Sequence, residues 1–288
     1  MPELPEVETV RMGLQRLLPG RVCSGVDFDW PKGFPNAPAD VRQFLVGAAV
    51  QGVRRRAKVL MIDLSSGYTL VIHLKMTGQL VFRGESDFGA GHPSASLVGA
   101  LPDASTRVVF GFADGSHLYF NDQRKFGWIR LLPTNQVEEL DFLRRVGPEP
   151  LAADFTWQQF KDRLLRRKNS RIKAVLLDQT VVAGVGNIYA DESLWGARLH
   201  PETAVKTMSD AQFRELFTSL RDVMNTSIAK GGSTDKNYVN AEGGRGNYLA
   251  SAGVFRRQGQ PCQRCGTPIA KTRSAGRGTH YCPQCQLL

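Results

Sequence analysis

The chain has few cysteines, no long apolar run and no acidic residue in its last part. Five cysteines stand among 288 residues, and four of them form two close pairs. No apolar stretch approaches the ~18 residues that a membrane-spanning helix needs. The acidic N-terminus lacks the basic segment followed by an apolar one that begins a secretory signal. We therefore expect a cytoplasmic protein without a membrane partner.

Acidic residues are absent after Glu242, although basic residues continue to the end of the chain. Overall, 37 Lys and Arg residues exceed 27 Asp and Glu residues, which gives a net charge of +10. The basic residues that follow Glu242 are Arg245, Arg256, Arg257, Arg264, Lys271, Arg273 and Arg277. This asymmetry favours a polyanionic partner, most simply a nucleic acid.

The length and a hydrophobic content of 42% favour two domains with sizeable cores. In the first half, apolar runs at 59–64 and 68–74 are separated by a short polar turn, and so are the runs at 107–112 and 117–120. Each pair predicts a β-hairpin. The segment Gly84–Ser105 is rich in Gly, Ser, Ala and Pro, and its composition predicts a long loop.

The second half has helical patterns instead. The capping-box patterns Thr156-x-x-Gln159 and Ser209-x-x-Gln212 each precede apolar residues at helical spacing. The later segment 231–246 has many glycines and few apolar residues, so we expect a mobile loop there.

The paired cysteines carry the strongest local signal in the chain. Cys262 and Cys265 form one C-x2-C motif, Cys282 and Cys285 form another, and sixteen residues lie between the pairs. This spacing predicts a tetrahedral zinc site, whereas two disulfides are disfavoured in a reducing cytoplasm. Four thiolates leave no open coordination position, so one structural zinc ion is expected. Cys23 is expected to be a small core residue.

The first residues suggest a nucleophile. If Met1 is removed, the nitrogen of Pro2 becomes a secondary amine, and a pKa near ~8 leaves part of it unprotonated at neutral pH. Attack on a sugar aldehyde carbon would give a positive iminium ion, and Glu3 could move protons beside it. The alternative is an ordinary helix start, because proline and acids suit a first turn. A nucleophilic Pro2 and a helix start are compatible, since an apolar stripe at helical spacing follows: Val7, Val10, Leu14, Leu17 and Leu18.

Two motifs have a nucleic-acid reading and a structural alternative. Asn187 follows Gly184-Val185-Gly186 and precedes a predicted helix, whose free N–H groups could bind a phosphate. Asn187 could instead be an ordinary N-cap. In the motif around Arg124 and Phe126, an aromatic ring could wedge into a base stack while the guanidinium pairs with base edges. The alternative is an aromatic cluster of Phe126 with Trp128.

Two further basic residues stand next to predicted strands. Lys58 directly precedes an apolar strand and could be held toward a cleft, or it could belong to a solvated charge run. Arg277 lies between glycines in the segment that joins the cysteine pairs, which predicts the tip of a tight hairpin. A basic residue at such a tip is suited to contact a phosphate.

These motifs together resemble bacterial formamidopyrimidine-DNA glycosylase along nearly the whole chain. Seven matches occur in order: Pro2-Glu3-Leu4-Pro5-Glu6-Val7-Glu8-Thr9, Arg55-Arg56-Ala57-Lys58, His73-Leu74-Lys75-Met76-Thr77-Gly78, Asp122-Gln123-Arg124-Lys125-Phe126-Gly127, Gly147-Pro148-Glu149-Pro150-Leu151, Gly184-Val185-Gly186-Asn187-Ile188-Tyr189-Ala190 and the four paired cysteines.

The resemblance implies an α+β fold in two domains with DNA between them. Residues 1–133 would form an N-terminal catalytic β-sandwich with flanking helices, and residues 134–150 a linker. Residues 151–250 would form a helix-two-turn-helix module with a loop over the everted base, and residues 251–288 the zinc ribbon. The implied partner is double-stranded DNA with oxidised purines, bound by a monomer in a bacterial cytoplasm.

The resemblance also implies the reaction. Members excise 8-oxoguanine opposite cytosine and formamidopyrimidines, and then cut the strand by β- and δ-elimination. Pro2 would be the Schiff-base nucleophile and Glu3 the proton donor, while Lys58 assists β-elimination and Arg277 δ-elimination. The implied DNA contacts are Asn187 to the backbone and, in the void left by the flipped nucleotide, Met76, Arg124 and Phe126.

One expected contact has no clear counterpart, and two other functions are compatible with parts of the pattern. A DNA-contacting histidine of the family is unmatched, and His92, Ser105 and Arg107 are candidates for its place. An endonuclease VIII-type glycosylase would share the N-terminal chemistry but act on oxidised pyrimidines. A non-catalytic zinc-ribbon DNA-binding protein would leave Pro2 and Glu3 unexplained.

Overall fold

The computed structural model of this protein describes residues 2–92, 94–233 and 248–288. They divide into two compact units: one contains the described residues within 1–144 and 230–247, and the other those within 145–229 and 248–288. No helix in the described part of the chain is long and apolar enough to cross a membrane. The predicted boundaries of the four modules stay predictions, because these two units are defined by packing and do not separate a linker or the ribbon.

The first unit is built on two antiparallel sheets. Its strands are β1 (Cys23–Phe28), β2 (Val50–Arg56), β3 (Val59–Leu64), β4 (Tyr68–His73), β5 (Gly78–Arg83), β6 (Phe88–Gly91), β7 (Thr106–Phe112), β8 (His117–Asp122) and β9 (Trp128–Pro133). One sheet has the strand order β1-β7-β8-β5-β6, and the other has the order β2-β3-β4-β9. Both predicted hairpins are present, as β3–β4 and β7–β8. The predicted fold class is confirmed.

The core of the first unit lies between these sheets and extends to the first helix. Side chains from both sheets contribute, because alternate strand residues point inward. They include Leu60 and Ile72 from one sheet and Phe82 and Phe120 from the other. The predicted helical stripe is buried too: Val7, Val10, Leu14 and Leu18 belong to the same core, and Leu17 packs against it.

The prediction of a long loop over Gly84–Ser105 is wrong in part. The segment contains β6, which pairs with β5, and a short 3₁₀ helix at Ala95–Leu97. Phe88 is buried, and a side-chain carbon at Gly13 of the first helix would lie 2.1 Å from its ring. The strand therefore depends on space that a distant glycine provides, which local composition does not reveal.

The helices complete both units. In chain order they are α1 (Leu4–Leu17), α2 (Pro38–Asp40), α3 (Asp141–Arg145), α4 (Trp157–Leu165), α5 (Ile172–Leu177), α6 (Asn187–Gly196) and α7 (Asp210–Ala229), with a π-helical turn at Val41–Leu45 and further 3₁₀ turns at Thr134–Glu139, Val205–Thr207 and Tyr248–Ser251. The predicted capping box of Thr156 and Gln159 starts α4, and Ser209 and Gln212 make the same pair of backbone contacts before α7. The second unit ends in a ribbon of β10 (Ala270–Ser274) and β11 (Arg277–Tyr281).

Candidate active site and DNA-binding surfaces

The first helix begins directly after the residue pair that was predicted to carry the chemistry. Glu3 is the N-cap of α1, and its side chain accepts a hydrogen bond from the Glu6 N–H. In return, the Glu3 N–H donates to Glu6 Oε2 at 2.8 Å. Pro2 and Glu3 are both buried. The structure therefore places Pro2 at the mouth of a capped helix.

The other carboxylate oxygen of Glu6 holds the beginning of the glycine-rich segment. The Ser233 N–H donates to Glu6 Oε1 at 2.8 Å. Gly232 has a φ of +93°, and a side-chain carbon there would lie 3.4 Å from Glu6 Cγ. Glycine thus permits both the backbone conformation and the close approach. The predicted loop over the base lies mainly at 234–246, outside the described residues.

Lys58 lies in the turn between β2 and β3, and a partly buried ion pair supports that turn. Arg55 donates to the Ala57 carbonyl at 2.8 Å and to Glu8 Oε2 on α1 at 2.8 Å. Burial raises the pKa of Glu8, but hydrogen bonds from Arg11 and Arg55 outweigh it, so the pKa falls below its usual value. Lys58 itself is buried, which contradicts the alternative of a solvated charge run.

His73 belongs to one of the matched motifs, but no role was predicted for it. Its Nδ1 accepts the Lys75 N–H at 3.0 Å, and the Trp128 ring, which also contacts Phe142, packs against it. Burial, followed by the charges of Lys75 and Lys58, lowers the pKa of His73 to about 3. A neutral imidazole thus lies near two cations, an arrangement that suits an anion. The only sign of this role in the sequence is that His73 stands at the end of an apolar strand.

The structure brings Met76, Arg124 and Phe126 together at the surface of the first unit. Arg124 Nη1 lies 3.0 Å from Met76 Sδ, and the guanidinium carbon lies 4.8 Å from the centre of the Phe126 ring. Met76 is 39% exposed and Phe126 is 51% exposed. Two large apolar side chains and a cation therefore project together, as a group that fills a gap in a base stack requires.

The buried carboxylate of Asp122, for which no role was predicted, positions this group. Asp122 Oδ2 accepts the N–H groups of Phe126 at 2.8 Å and Gly127 at 2.7 Å. Its Oδ1 accepts the Arg124 N–H at 3.2 Å and the hydroxyl of Thr77, the neighbour of Met76. Asp122 thereby ties both loops of the group together. An aspartate at a strand end before a turn is the local signal.

The three candidates for the unmatched histidine differ in their surroundings. The Arg107 guanidinium is buried and donates to Asp29 at 2.5 Å and to two backbone carbonyls. Ser105 donates to Asp103 through its hydroxyl at 2.7 Å. The contacts of Arg107 are thus all within the sandwich. His92 is half-buried, and this burial lowers its pKa.

In the second unit, Asn187 connects α6 to the ribbon. Gly186 is the N-cap and Asn187 is the first helical residue, so the alternative that Asn187 is an ordinary N-cap is wrong. The side-chain amide of Asn187 donates to the Gly278 carbonyl at 2.9 Å. Gly278 is the residue after Arg277, so one hydrogen bond links two of the predicted phosphate contacts.

A fully buried ion pair supports the same point of the ribbon. Lys173 and Asp191 are both 0% exposed, and Lys173 Nζ lies 2.6 Å from Asp191 Oδ1. The ammonium also donates to the Gly278 carbonyl at 3.2 Å and to the Thr279 hydroxyl at 2.6 Å, while Asp191 Oδ2 accepts the His280 N–H at 2.9 Å. Lys173 is therefore an internal support of the ribbon and not a surface cation.

The neighbouring Glu192 holds the segment that leads into the ribbon. Its Oε1 accepts the N–H groups of Val254 at 2.9 Å and Phe255 at 2.8 Å, and its Oε2 accepts that of Gly253 at 2.8 Å and the Tyr248 hydroxyl at 3.2 Å. Four donors satisfy this buried carboxylate. The role of Glu192 was not predicted, because its only signal in the sequence is a pair of adjacent acids inside an otherwise apolar helix.

The ribbon presents Arg277 as expected. Arg277 begins β11 and pairs with Ser274, and only Ala275 and Gly276 separate them. Arg277 is exposed, whereas the neighbouring Thr279 is fully buried. The predicted hairpin tip is therefore confirmed, and an exposed basic side chain lies beside it.

The four paired cysteines form the metal centre of the second unit. Their sulfur atoms all lie within 4.8 Å of one another, including distances of 3.5 Å between Cys265 and Cys282 and 3.9 Å between Cys262 and Cys285. Tetrahedral zinc with Zn–S bonds of about 2.3 Å requires sulfur separations of about 3.8 Å. The donor set fits one structural zinc ion. Cys23 lies apart, buried in the sandwich core as predicted.

A sandwich that begins with Pro-Glu, followed by a helical module and a four-cysteine ribbon, defines a zinc-containing DNA repair glycosylase. Three family models match in order: the formamidopyrimidine-DNA glycosylase N-terminal domain at 1–129, the H2TH domain of the same enzymes at 146–238, and the zinc finger found in FPG and IleRS at 259–287. The chain belongs to the formamidopyrimidine-DNA glycosylase family.

Similar proteins support this assignment over the whole length. A formamidopyrimidine-DNA glycosylase of Pelotomaculum thermopropionicum is 41% identical over 100% of both chains. A Lactococcus lactis FPG mutant in complex with Fapy-dG-containing DNA is 34% identical over 99% of each chain, with a TM-score of 0.87. The wild-type Lactococcus lactis enzyme with DNA that contains an oxidised pyrimidine has a TM-score of 0.85 at 34% identity over 99% of each chain.

Proposed function

We propose that this protein is a bifunctional DNA glycosylase and abasic-site lyase that removes oxidised purines from double-stranded DNA. The observation that carries the proposal is Pro2, buried beside the N-cap Glu3 at the mouth of α1. Once Met1 is removed, this position holds a secondary amine next to a carboxyl group. The preferred substrates are 8-oxoguanine opposite cytosine and formamidopyrimidines.

The proposed chemistry begins with the free Pro2 nitrogen. The nitrogen bonds to C1′ of the damaged nucleotide as the glycosidic bond breaks and the base leaves with a proton. Opening of the C1′–O4′ bond, with Glu3 as the proton donor to O4′, gives the iminium ion. Loss of a C2′ proton then expels the 3′ phosphate, and loss of a C4′ proton expels the 5′ phosphate.

The remaining site residues take supporting roles in this proposal. Lys58 assists β-elimination, and Arg277 assists δ-elimination and binds phosphate. Asn187 binds the DNA backbone near the lesion. Met76, Arg124 and Phe126 occupy the gap that the everted nucleotide leaves, in agreement with their joint exposure.

Borohydride trapping tests the proposal, because borohydride reduces the iminium ion to a stable amine. Protein without Met1 should form a covalent adduct with an 8-oxoguanine:cytosine duplex. The matched control is the same chain with Met1 retained, which should bind that duplex but form no adduct. An adduct with the Met1-retaining protein would exclude Pro2 as the nucleophile.

The second candidate is a preference for oxidised pyrimidines, as in endonuclease VIII-type enzymes. The complex of the Lactococcus lactis relative with an oxidised pyrimidine makes this comparison necessary. Single-turnover excision of 8-oxoguanine and thymine glycol, in otherwise identical duplexes, separates the two. Faster excision of thymine glycol would favour the second candidate, and no adduct with either duplex would favour a non-catalytic DNA-binding protein.

A further inference from the structure

The indole of Trp195 lies beside the metal centre and carries a buried hydrogen-bond donor. Trp195 is the penultimate residue of α6, and it packs on the apolar cluster that includes Cys262 and Cys282. Its Nε1 is buried, and the described part of the chain provides no oxygen or nitrogen acceptor for it. Because an unsatisfied buried donor is costly, the atom that accepts this N–H needs to be identified.

The sulfur of Cys262 is the acceptor that the fold offers. Cys262 accepts hydrogen bonds from the backbone N–H groups of Arg264, at 3.5 Å, and of Cys265, and from the side chain of Trp195. A neutral thiol is a weak acceptor, whereas metal binding requires the negatively charged thiolate. The Trp195 N–H is therefore best satisfied when Cys262 is a metal ligand.

The surrounding residues fix the orientation of the indole. The ring fits against the backbone of Gly253, where a side-chain carbon would lie 2.3 Å from Trp195 Cε3. The guanidinium carbon of Arg264 lies 4.1 Å from the ring centre, and the same side chain donates to the carbonyls of Trp195 at 2.6 Å and Gly196 at 2.9 Å. Arg264, which belongs to the first C-x2-C motif, thus binds the end of α6 and covers the ring.

The charge of the metal centre explains why a donor is useful at this place. A zinc ion with four thiolates keeps a net negative charge, and N–H groups that donate to the sulfur atoms offset it. Several of these donors are backbone groups of the ribbon itself, such as the Cys285 N–H, which lies 3.4 Å from Cys282 Sγ. The Trp195 N–H differs from them because it comes from a side chain outside the ribbon.

We propose that Trp195 is a positioning residue of the metal centre, whose indole N–H donates to the Cys262 thiolate and joins the zinc site to α6. The proposal goes beyond the glycosylase reaction and holds for any damaged base. The first residue of α6, Asn187, donates to the Gly278 carbonyl of the ribbon. One helix thus contacts the ribbon near both of its ends, at the hairpin and at the metal.

The affinity of the full-length protein for zinc, measured by competition with a chelator, tests the proposal. Trp195→Phe keeps a ring for Arg264 to cover but has no N–H, and its zinc affinity should fall by about 10–100-fold. Trp157→Phe is the matched control, because Trp157 is also half-buried in the same unit and lies 4.7 Å from the guanidinium carbon of Arg214. It should keep wild-type affinity. Equal affinity in both variants would contradict the proposal.

Benzothienylalanine at position 195 separates the hydrogen bond from packing. In this amino acid, sulfur replaces the indole N–H, while the size and shape of the fused rings are retained. The protein with this replacement should lose as much zinc affinity as Trp195→Phe. Wild-type zinc affinity would show that the ring acts through packing alone, and the proposal would then be wrong.

Cobalt(II) in place of zinc provides a spectroscopic signature. A hydrogen bond to a thiolate stabilises the sulfur lone pair and so raises the energy of the sulfur-to-cobalt charge-transfer band. In the cobalt-substituted full-length protein, Trp195→Phe should shift this band to longer wavelength, whereas Trp157→Phe should leave it in place. An unshifted band in Trp195→Phe would exclude the hydrogen bond to Cys262.

DNA binding distinguishes a role at the metal from general support of the ribbon. Zinc-loaded Trp195→Phe should bind a duplex with a tetrahydrofuran abasic analogue as tightly as the wild type. A chelator concentration that leaves the wild type loaded with zinc should weaken binding of this abasic-analogue duplex by the variant alone. Weak binding by the zinc-loaded variant would show that Trp195 supports the ribbon directly, against the proposal.

Discussion

At the scale of single residues, Arg124 and Phe126 have separable roles. The Arg124 guanidinium offers a forked pair of donors that suits the acceptors of an unpaired cytosine, and such a contact contributes about 1–3 kcal/mol of discrimination. Arg124→Ala should therefore reduce the difference in excision rate between cytosine and adenine opposite 8-oxoguanine. Single-turnover kinetics on both duplexes measures it. If both rates fall equally, Arg124 does not read the opposite base.

Phe126→Ala provides the comparison on the same surface. The ring is half-exposed and has no hydrogen-bonding group that could distinguish one base from another, so its removal should slow eversion of the nucleotide opposite any base. We expect lower rates on both duplexes with an unchanged cytosine preference. A changed preference in Phe126→Ala would contradict the division of roles between the two side chains.

Glu3 is the second residue whose role can be measured directly. Glu3→Gln retains the shape of the side chain and an oxygen that can cap α1, but it removes the acid. Formation of the iminium ion, measured by the rate of borohydride trapping, should slow by about 10²–10⁴-fold if Glu3 is the general acid that protonates O4′. Circular dichroism should show an unchanged fold. An unimpaired Glu3→Gln protein would exclude Glu3 from the mechanism.

At the scale of elements, Glu8 on α1 and Arg55 on β2 hold the turn that carries Lys58. Because the folded state lowers the pKa of Glu8, the carboxylate stabilises the fold above its unfolded pKa of about 4.3, and this contribution is lost as the pH falls through the lower folded value. The Tm difference between the wild type and Glu8→Gln should therefore shrink below about pH 4. A constant difference from pH 7 to pH 3 would contradict the assignment.

The Lys173–Asp191 pair joins α5, α6 and β11. Lys173→Met leaves the Asp191 carboxylate buried without its cation, which should lower the free energy of unfolding by about 3–5 kcal/mol. Lys173→Met combined with Asp191→Leu should cost less than the sum of the single changes, and urea unfolding of all three variants measures this. Additive losses would show that the two side chains act independently.

Elements were predictable where their signals are local. The capping boxes at Thr156 and Ser209, the apolar stripe of α1 and both hairpins depend on neighbours within a few residues, and each is present. Strand β6 was missed because Phe88 depends on space above Gly13. A contact between residues so far apart in the chain leaves no periodic pattern in the sequence.

The candidate site divides in the same way. Pro2, Arg124 and the cysteines stand in motifs whose chemistry can be read from adjacent residues. The roles of the supporting carboxylates cannot be predicted in this way, because their hydrogen-bond donors are distant in the chain. The donors to Glu192 come from residues 248–255, and those to Asp191 come from Lys173 and His280. A buried acid is recognisable only when the fold shows which N–H groups it satisfies.

At the scale of the whole molecule, the zinc ion is predicted to control DNA binding without taking part in the reaction. The four thiolates close the coordination sphere, and the ribbon they organise carries Arg277. Structural zinc binding is coupled to local folding, so its removal should disorder the ribbon. The sandwich core, made of residues from the two sheets and α1, contains none of the four ligands and should stay folded.

Cys262→Ala and Cys23→Ala form a matched pair for this prediction, because both replace a buried cysteine with the same side chain. Cys262→Ala should lose the zinc ion and much of the affinity for the abasic-analogue duplex, whereas Cys23→Ala should keep one zinc ion per chain and wild-type affinity. Metal analysis and binding at a fixed salt concentration measure both quantities. The β-sheet signal in circular dichroism should persist in Cys262→Ala, since its sandwich does not depend on the metal. Wild-type DNA affinity in a zinc-free Cys262→Ala protein would show that the ribbon does not need zinc to present Arg277.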